Sequence, residues 1–148
     1  MENKIEYEYT DGTTSADFDR NKTFLGVRIY EKDEKHHFTL APHDLCSGQD
    51  WYDSKTECEK NHVRMPFKHE CQIIYDNKEK INEMLEAAGG DPLDKEKYYW
   101  SSSEYSRSSA WVFCTGSGAT NGGVDYYHKD ITYSGDTSHV VRPVLASF

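Results

Sequence analysis

No long hydrophobic run occurs in this chain of 148 residues. Its apolar stretches fall well short of the ~20 residues a membrane-spanning helix needs. The start, Met1-Glu2-Asn3-Lys4-Ile5-Glu6, has neither the basic residues nor the apolar core of a signal peptide. These absences predict a leaderless chain with no membrane partner. The four cysteines, Cys46, Cys58, Cys71 and Cys114, include no C-x-x-C and are irregularly spaced. Free, mostly buried thiols are expected, with one disulfide left open. Basic clusters are also missing from a chain of net charge −9, which argues against nucleic acid because phosphate neutralisation needs grouped Lys and Arg.

The most informative scarcity is local. Residues 100–148 contain no Gln or Met, one Glu (Glu104) and one Lys (Lys129). They carry 3 basic and 4 acidic side chains, against 14 and 22 in residues 1–99. Ser, Thr, Gly, Tyr, Asp and His fill most of the remainder. Ordinary solvated surface is rich in Lys and Glu, so a polar tract without them, but with Tyr and His, reads as a recognition surface.

What is present suffices for one domain, long enough to bury roughly two thirds of its unfolded surface. Residues 1–22 read as a polar N-terminal arm or edge strand, the alternation Ile5, Tyr7, Tyr9 favouring a strand and the polarity an oligomerisation or attachment role. Thr23–Tyr30 and His37–Leu40 predict a hairpin across the charged turn Glu31–Lys35. Asp50 caps a helix in which Trp51 and Cys58 point inward. After Val63–Phe67, a helical region, broken or continuous, carries Ile73, Ile74, Ile81, Met84, Leu85 and Ala88 and stops at Gly89-Gly90. Short strands follow: Tyr98–Ser101, Ala110–Thr115, Val124–His128, Ile131–Tyr133 and Val140–Leu145. Strands, then helices, then strands spell an α+β domain over residues 23–148.

Several motifs in order carry a resemblance over about Phe24 to the C-terminus: Trp51-x-Asp53-Ser54-x3-Cys58, Arg64-Met65-Pro66, Tyr99-Trp100-Ser101-Ser102-Ser103-Glu104-Tyr105, Ala110-Trp111, Gly118, Lys129 and Val141-Arg142-Pro143-Val144. The chain resembles bacterial and phage C-type-lectin-fold domains, including the variable proteins of diversity-generating retroelements. The resemblance implies an α+β fold with two or three helices on mixed, mainly antiparallel strands, the N- and C-terminal strands together, and the last third as the ligand-facing surface. In diversified members, Asn codons become NNY codons, which cannot encode Lys, Glu, Gln, Met or Trp. The depletion of residues 100–148 fits, with Trp100, Glu104, Trp111 and Lys129 at framework positions. Phe67 departs from the pattern: a small hydroxyl residue is usual there, so the next helix is expected to lack its cap.

For the site, strand alternation after Trp111 is expected to put Trp111 and Phe113 in the core, with Val112 and Cys114 on the variable face. The expected ligand-binding set is Arg107, Val112, Cys114, Ser117, Thr120, Asn121, Asp125, Tyr126, Tyr127, His128, Asp130, Tyr133, Asp136 and His139. The mix pairs rigid aromatic area with short hydrogen-bonding groups, although the same residue types are ordinary in strands and turns. Sugar-binding lectins use Glu-Pro-Asn or Gln-Pro-Asp with Trp-Asn-Asp; none of these occurs, so calcium-independent binding without a cofactor is expected. Zinc on Cys58-x3-His62 and His69-x-Cys71 follows no standard order. No nucleophile, base and orienter can be assembled from the spacing, and the serine run lacks a Gly-x-Ser-x-Gly context, its hydroxyls being expected on neighbouring backbone. Glu104 and Arg142 are expected to form a buried ion pair.

The function expected is therefore a non-enzymatic recognition module facing a protein or cell-surface ligand, with homo-oligomerisation open. The alternatives are an undiversified lectin-like structural module and, further off, an oxidase-related or metal-dependent enzyme.

Overall fold

Period-two burial dominates the first strands and period-3.6 burial the helices, and together they set the layers. The computed structural model describes residues 3–116, 123–134 and 137–145, the side chains of Tyr133, Ser134, Thr137 and Ser138 excepted. In chain order the elements are β1 (Ile5–Tyr9), β2 (Thr14–Ser15), β3 (Phe24–Tyr30), β4 (His37–Leu40), β5 (Cys46–Ser47), α1 (Trp51–Lys60), β6 (Val63–Arg64), α2 (Lys68–Asp76), α3 (Lys78–Ala87), β7 (Tyr98–Glu104), β8 (Ser109–Phe113), β9 (Val124–His128), β10 (Tyr133–Ser134), β11 (Thr137–Val141) and β12 (Val144–Leu145). This is an α+β architecture of three helices and two mainly antiparallel sheets, the layout expected of a lectin-like domain. Among the described residues, no helix is long and apolar enough to cross a membrane.

The first sheet runs β2-β1-β3-β4-β12-β6. Tyr7 and Tyr9 turn inward from β1 and, with Phe18 and Phe24, form a ring cluster; the Tyr7 and Phe18 centroids lie 5.4 Å apart. Ile5–Tyr9 is thus a strand built into the core rather than a free arm. The β3–β4 hairpin forms as expected, Val27 opposite Leu40 and Tyr30 opposite His37. β12 shares this sheet with β1 but pairs with β4 and β6, so β3 and β4 separate the first and last strands.

The second sheet runs β10-β11-β7-β8-β9, with β5 on β11, and its β11–β7 pair is parallel. Expected as one strand, Val140–Leu145 is split: Val141 pairs with Cys46 in the second sheet and Val144 with Leu40 in the first. Pro143 has no amide hydrogen for a ladder, so the chain crosses between sheets at Arg142-Pro143. Arg142 is 1% exposed and secures that crossing. Its Nε donates to Asp44 at 2.8 Å and its Nη1 to the Asp91 carbonyl at 2.8 Å. The expected Glu104–Arg142 pair does not form; each finds a nearer partner of opposite charge, Glu104 taking Lys129.

Two hydrophobic clusters result. The larger joins the first sheet to α2 and α3 and reaches Tyr99, Phe113 and Val124; the smaller gathers Trp51, Cys58, Met65, Trp100, Ala110, Val112 and Val141. β7 and β8 are therefore covered on both faces. α1 starts as expected, the Asp50 carboxylate accepting from the Asp53 amide at 2.8 Å. The second helical region breaks at Asn77, whose side chain donates to the Ile73 carbonyl and to Asn3. α3 ends before Gly89, at φ +83, where the Gly90 amide returns to the Leu85 carbonyl at 2.8 Å.

Candidate ligand-binding surface

The site is built where β7 leaves β8. Pairing between these strands shifts register between Trp100 and Glu104, and in that irregular stretch the Ser102 amide bonds the Pro66 carbonyl instead. Ser103 then does what Phe67 cannot: its Oγ accepts from the Lys68 amide at 2.8 Å, while Glu70 accepts from the Phe67 amide at 2.8 Å. Helix α2 is capped from another strand. The turn after β7 closes through Tyr105 and Ser106 amides on the Ser109 carbonyl.

Lys129 ties the neighbouring pieces together. It is 3% exposed; its Nζ bonds Glu104 and the Arg107 carbonyl and sits 4.7 Å from the Trp51 ring centroid. Its backbone joins Ser108 on one side and the Trp51 amide on the other. That hydrogen bond holds the Glu104 carboxyl below its ordinary pKa. The only Lys and the only Glu of residues 100–148 are therefore spent on each other, fixing the loop between β7 and β8 against α1.

On this frame an aromatic group emerges. Trp111 and Tyr126 are cross-strand partners of β8 and β9, centroids 5.5 Å apart at 81°. Tyr105 lies 5.3 Å from Trp111 and 3.7 Å from Tyr126. The hydrogen bond that the Tyr126 phenol donates to Tyr105 raises the Tyr126 pKa. The Lys68 ammonium stands 3.8 Å over the Trp111 ring, and the Arg64 guanidinium, paired with Glu70, stands 4.0 Å over Phe67. Beside them Tyr52, Ser108, His128, Lys129 and Asp130 line a recess of about 270 Å³. The large exposed apolar side chains among the described residues are Tyr52, Phe67, Tyr105 and Tyr126, at 51, 41, 46 and 42%. Of these, Tyr105 and Tyr126 touch each other and Trp111, whereas Tyr52 borders the recess from α1 and Phe67 lies against Arg64 and His69 at the start of α2.

The expected site residues divide. Arg107, Tyr126, His128 and Asp130 are exposed here. Asp125 and Tyr127 are half-buried, and Tyr127 turns to the opposite face from Tyr126, packing on Tyr98 and His139 at 5.2 Å each. The hydrogen bond that Tyr98 donates to Tyr127, with burial, pushes the Tyr98 phenol up to about 12. Three expectations are corrected. Val112, at 0% exposure, belongs to the Trp100 cluster; Cys114, at 4%, donates from Sγ to the Lys95 carbonyl; His139, at 0%, lies among Tyr98, Trp100 and Tyr127. The reason is common to them: a strand covered on both faces has no variable side, so alternation chose between two cores rather than between core and solvent. Trp111, expected inside, is the half-buried one. Ser117, Thr120, Asn121 and Asp136, the framework residue Gly118, and the Tyr133 side chain lie outside the described residues.

Edge strand β9 does not present an open ladder. Amide bonds from Cys114 to Gly123 and from Lys129 to Ser108 set which groups face β8, and the outward Tyr126 amide is taken by the Asp125 carboxylate at 2.8 Å. The His128 carbonyl is taken by Ile131. Burial also pushes the thiols of Cys46 and Cys71 up, and Cys58 to about 12, which makes them poor nucleophiles. Cys58 and Cys71 sit in different hydrophobic clusters, so Cys58, His62, His69 and Cys71 are not a ligand set. No group of three His, Cys, Asp or Glu positioned to hold a metal is found among the described residues.

Tyr52, Phe67, Lys68 and Tyr105 are absent from the expected set, and Trp111 was expected in the framework. One signal was available: Phe67 puts a large apolar side chain where a hydroxyl residue is usual. The sequence matches no protein-family model and no curated protein.

Proposed function

We propose that this chain is a non-catalytic recognition module of lectin-like fold that captures a protein or cell-surface ligand, without calcium or another cofactor, at the end of β7, β8 and β9. The observation that carries the reading is the contact of two exposed rings, Tyr105 and Tyr126, with each other and with half-buried Trp111. Scattered exposed apolar residues are normal, whereas a contiguous aromatic group rimmed by polar residues marks an interaction site. Tyr supplies contact area at low entropy cost, and Arg107, His128, Asp130 and Ser108 supply adaptable hydrogen bonds around it. Beneath the surface, Lys129 and Ser103 hold the loop and α2 in place, so side chains above them can change without loss of the fold.

The test is a comparison of wild type with Tyr105→Ser/Tyr126→Ser on arrays of bacterial surface proteins and glycans. Signals retained by wild type and lost by the double variant, at a melting temperature changed by no more than a few degrees, support the reading. Equal retention sinks it. Retroelement diversification is the second part of the proposal, supported by exposed Arg107, Tyr126, His128 and Asp130 alternating with a mutually paired Lys129 and Glu104. It requires an imperfect repeat of the coding segment for residues 100–148 in flanking DNA, differing at adenines; flanking DNA without one would refute it.

A further inference from the structure

The ligand class can be narrowed from the cations that dress these rings, an inference that rests on the ring surface being the binding site. Lys68 lies 3.8 Å over Trp111, Arg64 4.0 Å over Phe67, and Lys129 and Lys55 4.7 and 5.5 Å from Trp51. Two of the four are neutralised, Arg64 by Glu70 and Lys129 by Glu104. The other two are not: Lys55 acts on Glu104 only at longer range, and Lys68 forms no ion pair among the described residues. Arg107, exposed at the turn between β7 and β8, has none either. On a chain of net charge −9, Lys55, Lys68 and Arg107 thus have no carboxylate partner among the described residues; Lys55 is held against Trp51 and Lys68 against Trp111, and Arg107 is exposed at the turn between β7 and β8. Of the acidic groups, Glu104 is taken by Lys129 and Asp125 accepts from the Tyr126 amide, leaving Asp130 at the recess and Asp53, exposed in the first turn of α1.

We propose that the partner is an acidic segment of a protein, carboxylates on Lys55, Lys68 and Arg107 and an apolar side chain against Tyr105 and Tyr126. A cationic partner is disfavoured because the Trp111 and Phe67 faces already carry cations, and a further one meets repulsion where cation–π attraction would act. A carboxylate completes a charge pair beside a ring without displacing it. An acidic glycan fits less well. Stacking a pyranose needs a free, flat ring face, but Lys68 covers that of Trp111, Tyr105 and Tyr126 lie 3.7 Å apart at 36°, and Trp111 meets Tyr126 at 81°. Ring edges and phenol oxygens, by contrast, suit peptide side chains and amides.

The experiment is selection from a random peptide display library on the immobilised full chain at low salt, with parallel selections on Lys55→Gln/Lys68→Gln/Arg107→Gln and on Tyr105→Ser/Tyr126→Ser, and polygalacturonate as a carboxylate glycan. The expected result is enrichment of Asp- and Glu-rich peptides carrying Leu or Phe, binding at least ten-fold weaker on the charge variant and at 0.5 M salt. Enriched peptides that are neutral or basic, or that bind the charge variant equally, overturn the acidic partner while leaving the surface intact, provided the ring variant has lost them. Peptides held equally by the ring variant overturn the surface itself. Enrichment of nothing while polygalacturonate is bound assigns the cations to a glycan and overturns the protein partner.

Discussion

Arg142 is the residue on which most of the two-sheet arrangement depends. Its guanidinium serves Asp44, the Asp91 carbonyl and, at 3.4 Å, the Ala41 and Pro92 carbonyls. Arg142→Met leaves Asp44 without its partner and two loops without their donor, so a loss of about 3 kcal/mol or more is expected in urea unfolding; a loss under about 1 kcal/mol would show that the crossing holds without it. His139 sets the acid response. Buried among Tyr98, Trp100 and Tyr127, its imidazole is pushed down to about 4, against ~6.5 in an unfolded chain. Between these values the unfolded state binds the extra proton, so its contribution is full above pH 6.5 and is lost as pH falls toward 4, on the order of 2–3 kcal/mol. His139→Leu should flatten that part of the stability profile; an unchanged slope would place the titrating group elsewhere. At this scale the sequence was misleading where both faces of a strand are buried. The residue types of Val112, Cys114 and His139 are the same in a core as on a variable face, and only the second cluster around Trp100 decides between them.

Elements were more legible than their caps and ends. The β3–β4 hairpin, α1 from Asp50, the break within the second helical region and β9 all follow from local pattern and turn chemistry. The two-residue strands β2, β5, β6 and β10 carry no period to read, and they exist because long strands beside them offer partners. Capping of α2 shows the same limit. Phe67 correctly signalled a missing local cap, while the replacement, Ser103 Oγ, comes from 35 residues further along the chain. Ser103→Ala is expected to cost about 1 kcal/mol, and amide exchange should quicken first at the start of α2. Uniform quickening across the protein would mean that Ser103 acts on the whole fold rather than on that helix.

At the scale of the molecule, the C-terminal third divides into buried residues that hold the fold and exposed residues above them. Trp100, Val112, Val141, Arg142 and Lys129 are buried and bind the two sheets and α1 into one body. Tyr105, Tyr126, Arg107, His128 and Asp130 are exposed on top of it, joined by Tyr52 and Phe67 from outside that third. The composition of residues 100–148 carries no sign of the neighbouring residues of α1 and α2, which only the folded arrangement brings alongside. The most direct measurement of the central claim is a hydrogen-exchange footprint of the full chain with the tightest ligand found on the arrays. The account predicts protection concentrated in residues 104–111 and 124–130 and at the starts of α1 and α2. Protection confined to the β3–β4 hairpin and the outer face of the first sheet, with 104–111 unchanged, would contradict it.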